Sequence, residues 1–192
     1  EEHAELFRQD GELKANFIKA EKAISRSLRD PLFQEYMSGE KQVIMTGELF
    51  GSKWKIKMDS YHPGRAIVDL KYMQSLTKFG YVPDIGYLDF VRYWGYDLQG
   101  AIYQEIVYQN TGKRLPFYIA GISKEEAMNI EVIYIHDNYL KEAMKVIESR
   151  MPRILQVKYH GAKPDRCEQC IWCRDTKVLT KPIGIGDLTA SL

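Results

Sequence analysis

Asp59 closes the alternating run Lys53 to Asp59, and ten residues later Asp69 and Lys71 stand two apart in the run Arg65 to Lys71. Side chains two apart on a strand share a face, so Asp69 and Lys71 point one way while Val68 and Leu70 point the other. With Val68 and Leu70 turned to the core, the Asp and Lys are expected together at the sheet surface. The turn Tyr61-His62-Pro63-Gly64 is short enough for the carboxylates of Asp59 and Asp69 to converge. Their hard oxygens suit Mg²⁺ or Mn²⁺. Such an ion polarises a phosphate and lowers the pKa of water, while a lysine beside it orients that water or neutralises the transition state. Gln99 and Tyr103 stand one helical turn apart and are neighbours on one face, a polar clamp for the same chemistry.

Each element has a plainer reading. A lone Asp-x-Lys is more often an exposed ion pair on an edge strand; the ten-residue offset from Asp59 and the Gln helix that follows favour the site. Gln99 and Tyr103 sit among Tyr93, Trp94, Tyr96 and Tyr108, whose default role is packing. Lys53, Lys55 and Lys57 share the parity of Asp59; Lys53 reads as a solvated edge and Lys57 as a phosphate contact. Glu48 is a candidate third acidic ligand or a support for the other two. His62 and His136 each stand alone and read as turn and surface residues. Cys167-x-x-Cys170-x-x-Cys173 can wrap one soft metal and leaves a fourth position open, for which His160 lies at long spacing. Equally, three reduced thiols packed near Trp172 explain that segment, and these residues by themselves are expected to bind metal weakly or not at all.

The elements that must hold these residues follow from periodicity. Leu13, Phe17, Ala20, Ile24 and Leu28 recur at helical spacing within Glu12 to Asp30, and Pro31 stops the run. Three strands are expected at Gln42 to Leu49, Lys53 to Asp59 and Arg65 to Lys71. An irregular loop, Tyr72 to Gly86, precedes a long helix from Tyr87 to Asn110. Strands at Leu115 to Ser123 and Ile130 to His136 and a helix at Asn138 to Ser149 complete the order. A chain of 192 residues carrying 45% hydrophobic and 28% charged residues has the length and composition of a folded domain. Its net charge of +1 argues against a global basic field but leaves room for a local basic groove. No apolar run long enough to span a membrane occurs, and clustered cysteines do not make a secreted disulfide framework, so the expected location is cytoplasmic. The chain opens on Glu1 rather than Met, so it is expected to be a piece of a longer chain.

The Asp59, Asp69, Lys71 and Gln99-x-x-x-Tyr103 pattern, spread over about positions 40 to 180, resembles the PD-(D/E)XK nuclease superfamily. Within it the pattern is most similar to the RecB/RecE-like, phage-type exonucleases. That resemblance implies an α/β (α+β) fold: a restriction-endonuclease-like αβββαβ core with a central mixed sheet flanked by helices. It implies a core over 1–160 and a Cys-containing tail over 161–192 packed on the same domain. The activity implied is Mg-dependent hydrolysis of linear duplex DNA from its ends, in phage recombination. A single-strand annealing protein and a homo-oligomeric ring around DNA are the implied partners. Gln99 is implied to bind near the metal centre or the DNA backbone with Tyr103 supporting it, and Lys124, in the Lys-Glu-Glu segment, to contact DNA. Some RecB-like nucleases hold an iron–sulfur cluster on one upstream and three downstream cysteines; here no upstream cysteine is present. Two rival readings are a non-catalytic nucleic-acid-binding module on a nuclease fold and a cysteine–metal interaction domain.

Overall fold

The computed structural model describes residues 6–82, 85–168 and 170–186. The chain divides at Pro152 into two units, 1–151 and 152–192. The first opens with helices α1 (Ala15–Leu28) and α2 (Pro31–Tyr36). Pro31 stands at the start of α2, where its missing N–H costs nothing, and the carboxylate of Asp30 accepts the Phe33 N–H at 2.9 Å as N-cap. Strands β1 (Glu40–Leu49) and β2 (Ser52–His62) form an antiparallel hairpin closed by Phe50 and Gly51. Both turn residues have positive φ, 49° and 76°, as a two-residue hairpin turn of the right twist requires. Strand β3 (Ala66–Met73) pairs antiparallel with β2 and parallel with β6 (Phe117–Ser123), which pairs antiparallel with β7 (Ile130–Ile135). The five-stranded mixed sheet runs β1-β2-β3-β6-β7.

Between β3 and β6 the chain makes a small hairpin, β4 (Gly80–Val82) with β5 (Gly86–Leu88), then helices α3 (Phe90–Tyr93) and α4 (Tyr96–Thr111). The parallel β3–β6 pair requires such a crossover, and α4 supplies it. Two layers of core result. Val68, Ala120 and Ile122 pack with Ala23 of α1 and Phe33 of α2 on one face. On the other, Phe117 lies against α4, where a Cβ on Gly100 would come within 2.6 Å of the Phe117 ring. Helix α5 (Asp137–Tyr159) carries Pro152 inside it, and α6 (Ile171–Asp175) belongs to the second unit.

This is the α+β, restriction-endonuclease-like architecture, with several departures from the expected elements. The helix expected over Tyr87 to Asn110 is broken. Asp89 caps a single turn by accepting the Arg92 N–H at 3.1 Å, and Gly95, at φ 69°, reverses the backbone before α4 begins. The loop expected over Tyr72 to Gly86 contains β4 and the start of β5, and the helix expected to end at Ser149 continues to Tyr159. Finally, Asp69 does not lie at an open sheet surface: α4 covers its face, leaving it 3% exposed, whereas Leu70 on the opposite face is 41% exposed.

Candidate active site

Register builds the site. The β2–β3 ladder pairs His62 with Ala66, Tyr61 with Ile67 and Ser60 with Val68, then stops. The next rung would set Asp59 opposite Asp69, and like charges directly opposed destabilise a strand pair. The strands part there instead, and Asp59 Oδ2 accepts the Leu70 N–H at 2.9 Å in place of the missing backbone partner. Across the other edge of β2, Gln42 donates its side-chain amide to Asp59 Oδ1 at 2.9 Å. Its positive φ of 56°, unusual for a non-glycine residue, marks a kink in β1 at this point. Asp59 is thus clamped from both neighbouring strands while remaining half-buried.

Asp69 is held more tightly. Gln99, in the first turn of α4, donates its amide N–H to Asp69 Oδ1 at 2.7 Å, and its amide oxygen accepts from Lys71 Nζ at 3.0 Å. Lys71 Nζ also forms an ion pair with Asp69 Oδ2 and lies 4.5 Å from the centroid of the Tyr96 ring. Burial pushes the Asp69 carboxyl above its ordinary range; the Lys71 ammonium opposes this, and the negative charge of Asp59 adds to it. One turn along α4, the Tyr103 hydroxyl donates to the Lys57 carbonyl at 2.9 Å, and its ring stands edge-on to Phe117. Gln99 therefore reads the carboxylate and ammonium together, and Tyr103 ties its helix to the strand that carries Asp59.

The donor set fits a divalent cation. Asp69 Oδ2 is buried, and its partner is the Lys71 ammonium. Asp59 raises the cost of ionising Asp69, so a cation between two carboxylates relieves a repulsion already built into the fold. Of the other sequence candidates, Lys57 is exposed on β2. Lys124 follows β6, its N–H donating to Met73 O at 2.8 Å and its ammonium 5.0 Å from the Tyr72 ring. Glu48 is not brought to the carboxylates: it pairs with Lys53 beside the hairpin turn, six residues and about 20 Å of strand from Gln42. His62 is a structural residue, Nε2 lying 2.8 Å from the Tyr36 carbonyl. Gln42 is not among the residues expected at the site, and Tyr96, expected to pack, lies against the Lys71 ammonium. Tyr96 shares the helix face of Gln99 and Tyr103 at i, i+3 and i+7, a spacing that pointed to it; nothing in the residue types around Gln42 signals its bond to Asp59.

In the unit 152–192, the Sγ atoms of Cys167, Cys170 and Cys173 lie within 4.8 Å of one another. The Cys170 N–H points at Cys167 Sγ at 3.3 Å and the Cys173 N–H at Cys170 Sγ at 3.4 Å, so each successive amide supports the preceding sulfur. The convergence suits a soft metal. His160 is not in this group among the described residues.

Comparison with known proteins agrees with this fold. Residues 1–176 match the family model described as a PDDEXK-like domain of unknown function (DUF3799). The crystal structure of a "Putative exonuclease" from Eubacterium rectale is similar over 100% of this chain and 72% of that one, with 63% identity and a TM-score of 0.90. No curated protein matches. With the forked β2–β3 pair, the Asp59, Asp69 and Lys71 cluster and the Gln99 helix in place, the chain belongs to this PDDEXK-like family of nuclease fold.

Proposed function

We propose that this protein is a divalent-metal-dependent exodeoxyribonuclease that hydrolyses linear duplex DNA from its ends. The observation that carries the reading is the closed set of contacts joining Asp69, Lys71 and Gln99 beside Asp59. A purely structural ion pair has no need of a second buried-side carboxylate that raises its ionisation cost.

Asp59 and Asp69 would hold Mg²⁺ or Mn²⁺, which when bound supplies a Lewis acid for the scissile phosphate and an acidified water. Lys71, anchored by Gln99, presents a fixed ammonium beside the carboxylates and neutralises charge that develops on the phosphoryl oxygens. Gln99 keeps that ammonium and the carboxylate in one geometry, which removes the cost of arranging them during the reaction. Lys57 and Lys124 supply backbone contacts along the approach to the site. On the family resemblance the same reading extends to a homo-oligomeric ring, a single-strand annealing partner and a role in phage recombination. For the three thiols we propose a weak zinc or iron site, separate in chemistry from the hard-ion site.

Degradation of linear duplex DNA with Mg²⁺, repeated with EDTA and with Asp69→Ala, tests the central claim. Cleavage should vanish in both controls. Metal-independent cleavage, or full activity of the variant, overturns the proposal.

A further inference from the structure

The cleft beside the site carries exposed aromatic faces that contacts to a duplex backbone do not use. A cavity of about 440 Å³ opens between the end of β3, the β4 region and α3, in the range of small-ligand sites. Phe79, Tyr93 and Trp94 line it, and Phe79 and Trp94 are 65% and 62% exposed. Large aromatic faces left in water are unfavourable unless something covers them. Their placement is not loose. The Tyr93 ring lies so close over Gly80 that a Cβ there would come within 2.1 Å of it, and it stands edge-on to Trp94 at 5.3 Å. Lys78 and Lys124 also line the cavity, and no carboxylate does among the described residues. Glu125, next in sequence to Lys124, is turned to the Ser75 hydroxyl, its carboxylate accepting at 3.1 Å. Tyr96 belongs to both places: it lines this cavity, and its ring lies 4.5 Å from Lys71 Nζ.

We propose that this cleft binds an unpaired nucleotide of single-stranded DNA, a base stacking on Trp94 and Phe79 while Lys78 and Lys124 hold the flanking phosphates. The inference rests on the nuclease reading, since contiguity with Lys71 is what ties the cleft to a DNA strand. Aromatic faces with cations and no anions are complementary to a nucleotide and recognise bases by stacking without sequence preference. A base within a duplex has both faces covered, so the cleft selects a frayed or single-stranded end. An apolar peptide would leave the two ammonium groups without partners. A second copy of the chain docked symmetrically on this face would bring its own lysines against them.

Binding of a labelled oligothymidylate and of a blunt duplex is measured by fluorescence anisotropy in EDTA, where no cleavage interferes. Trp94→Ala should weaken oligothymidylate binding about five- to hundredfold with little change for the duplex, and Trp94→Phe should retain most of the affinity. Lys124→Gln should reduce the salt dependence of single-strand binding by about 0.7 in log–log slope. Phe79→Ala repeats the test should Trp94→Ala melt abnormally. Equal losses on single strand and duplex, wild-type affinity in both aromatic variants, no single-strand binding by the wild type, or a changed oligomeric state in place of changed affinity would each overturn the inference. Asp69→Ala separates this from the nuclease reading. Cleavage by the wild type without Trp94-dependent binding refutes the cleft alone; Trp94-dependent binding by a protein that never cleaves refutes the nuclease reading alone.

Discussion

Asp69 holds the tension of the molecule: it must be ionised to bind a cation, yet its burial favours the neutral acid. A carboxyl whose pKa is raised in the fold stabilises the fold below its ordinary value of 3.8, and that contribution is lost as pH rises through the raised value. Without divalent metal, wild-type melting temperature should therefore decline with rising pH above 3.8 relative to Asp69→Asn, which has no such group to ionise. Mg²⁺ or Mn²⁺ should flatten the wild-type decline and leave the variant unchanged. Thermal melts of both proteins across pH, with and without metal, check this; parallel curves would show that Asp69 carries no burial penalty.

Lysines in the same region should separate by role. Lys71→Ala should lower cleavage by about 10²- to 10³-fold with DNA binding largely intact, because its ammonium acts where charge develops. Lys57→Ala should weaken binding and shallow its salt dependence by about one phosphate contact. Salt-titrated binding beside single-turnover cleavage distinguishes them, and matching effects of the two substitutions would contradict the assignment.

Among the elements, α4 positions the site, and its distance from the sheet is set at Gly100. A Cβ there would meet Phe117 at 2.6 Å and Leu140 at 3.0 Å, both buried and with little room to yield. Gly100→Ala should destabilise the fold by about 1–3 kcal/mol through overpacking. Gln99 is the preceding residue, so lifting the helix should also lengthen the 2.7 Å bond to Asp69. Activity at a temperature where the variant is fully folded should fall severalfold; a stability loss with wild-type kcat would show that the Gln99 contact tolerates the shift.

At the scale of the whole molecule, two sets of candidate metal donors lie in two units, carboxylate oxygens in 1–151 and thiols in 152–192. They should respond independently. Zinc titration followed by elemental analysis should find weak, substoichiometric binding that Cys170→Ser abolishes, while Mg²⁺-dependent cleavage persists. A full complement of tightly held metal would point to a complete site, and cleavage lost with Cys170→Ser would join the two chemistries. Among the described residues no helix is long and apolar enough to cross a membrane.

Strand parity, the ten-residue offset between the two aspartates and the one-turn spacing of Gln99 and Tyr103 are local properties, and for that reason they were legible in the amino-acid order. So was the order in which the main strands and the helices follow one another along the chain. Local periodicity says which residues share a face but not what covers it, so burial of Asp69 beneath α4 emerged only when the crossover helix packed on β3 and β6. The break at Gly95 was hidden because an aromatic-rich run fits a continuous helix by composition; a left-handed glycine is decided by where the two helices must dock. Gln42 reaches Asp59 across a kinked strand, and the β2–β3 ladder ends where two like charges would otherwise meet. Those are contacts between strands brought together by the sheet, and no spacing along one chain encodes them.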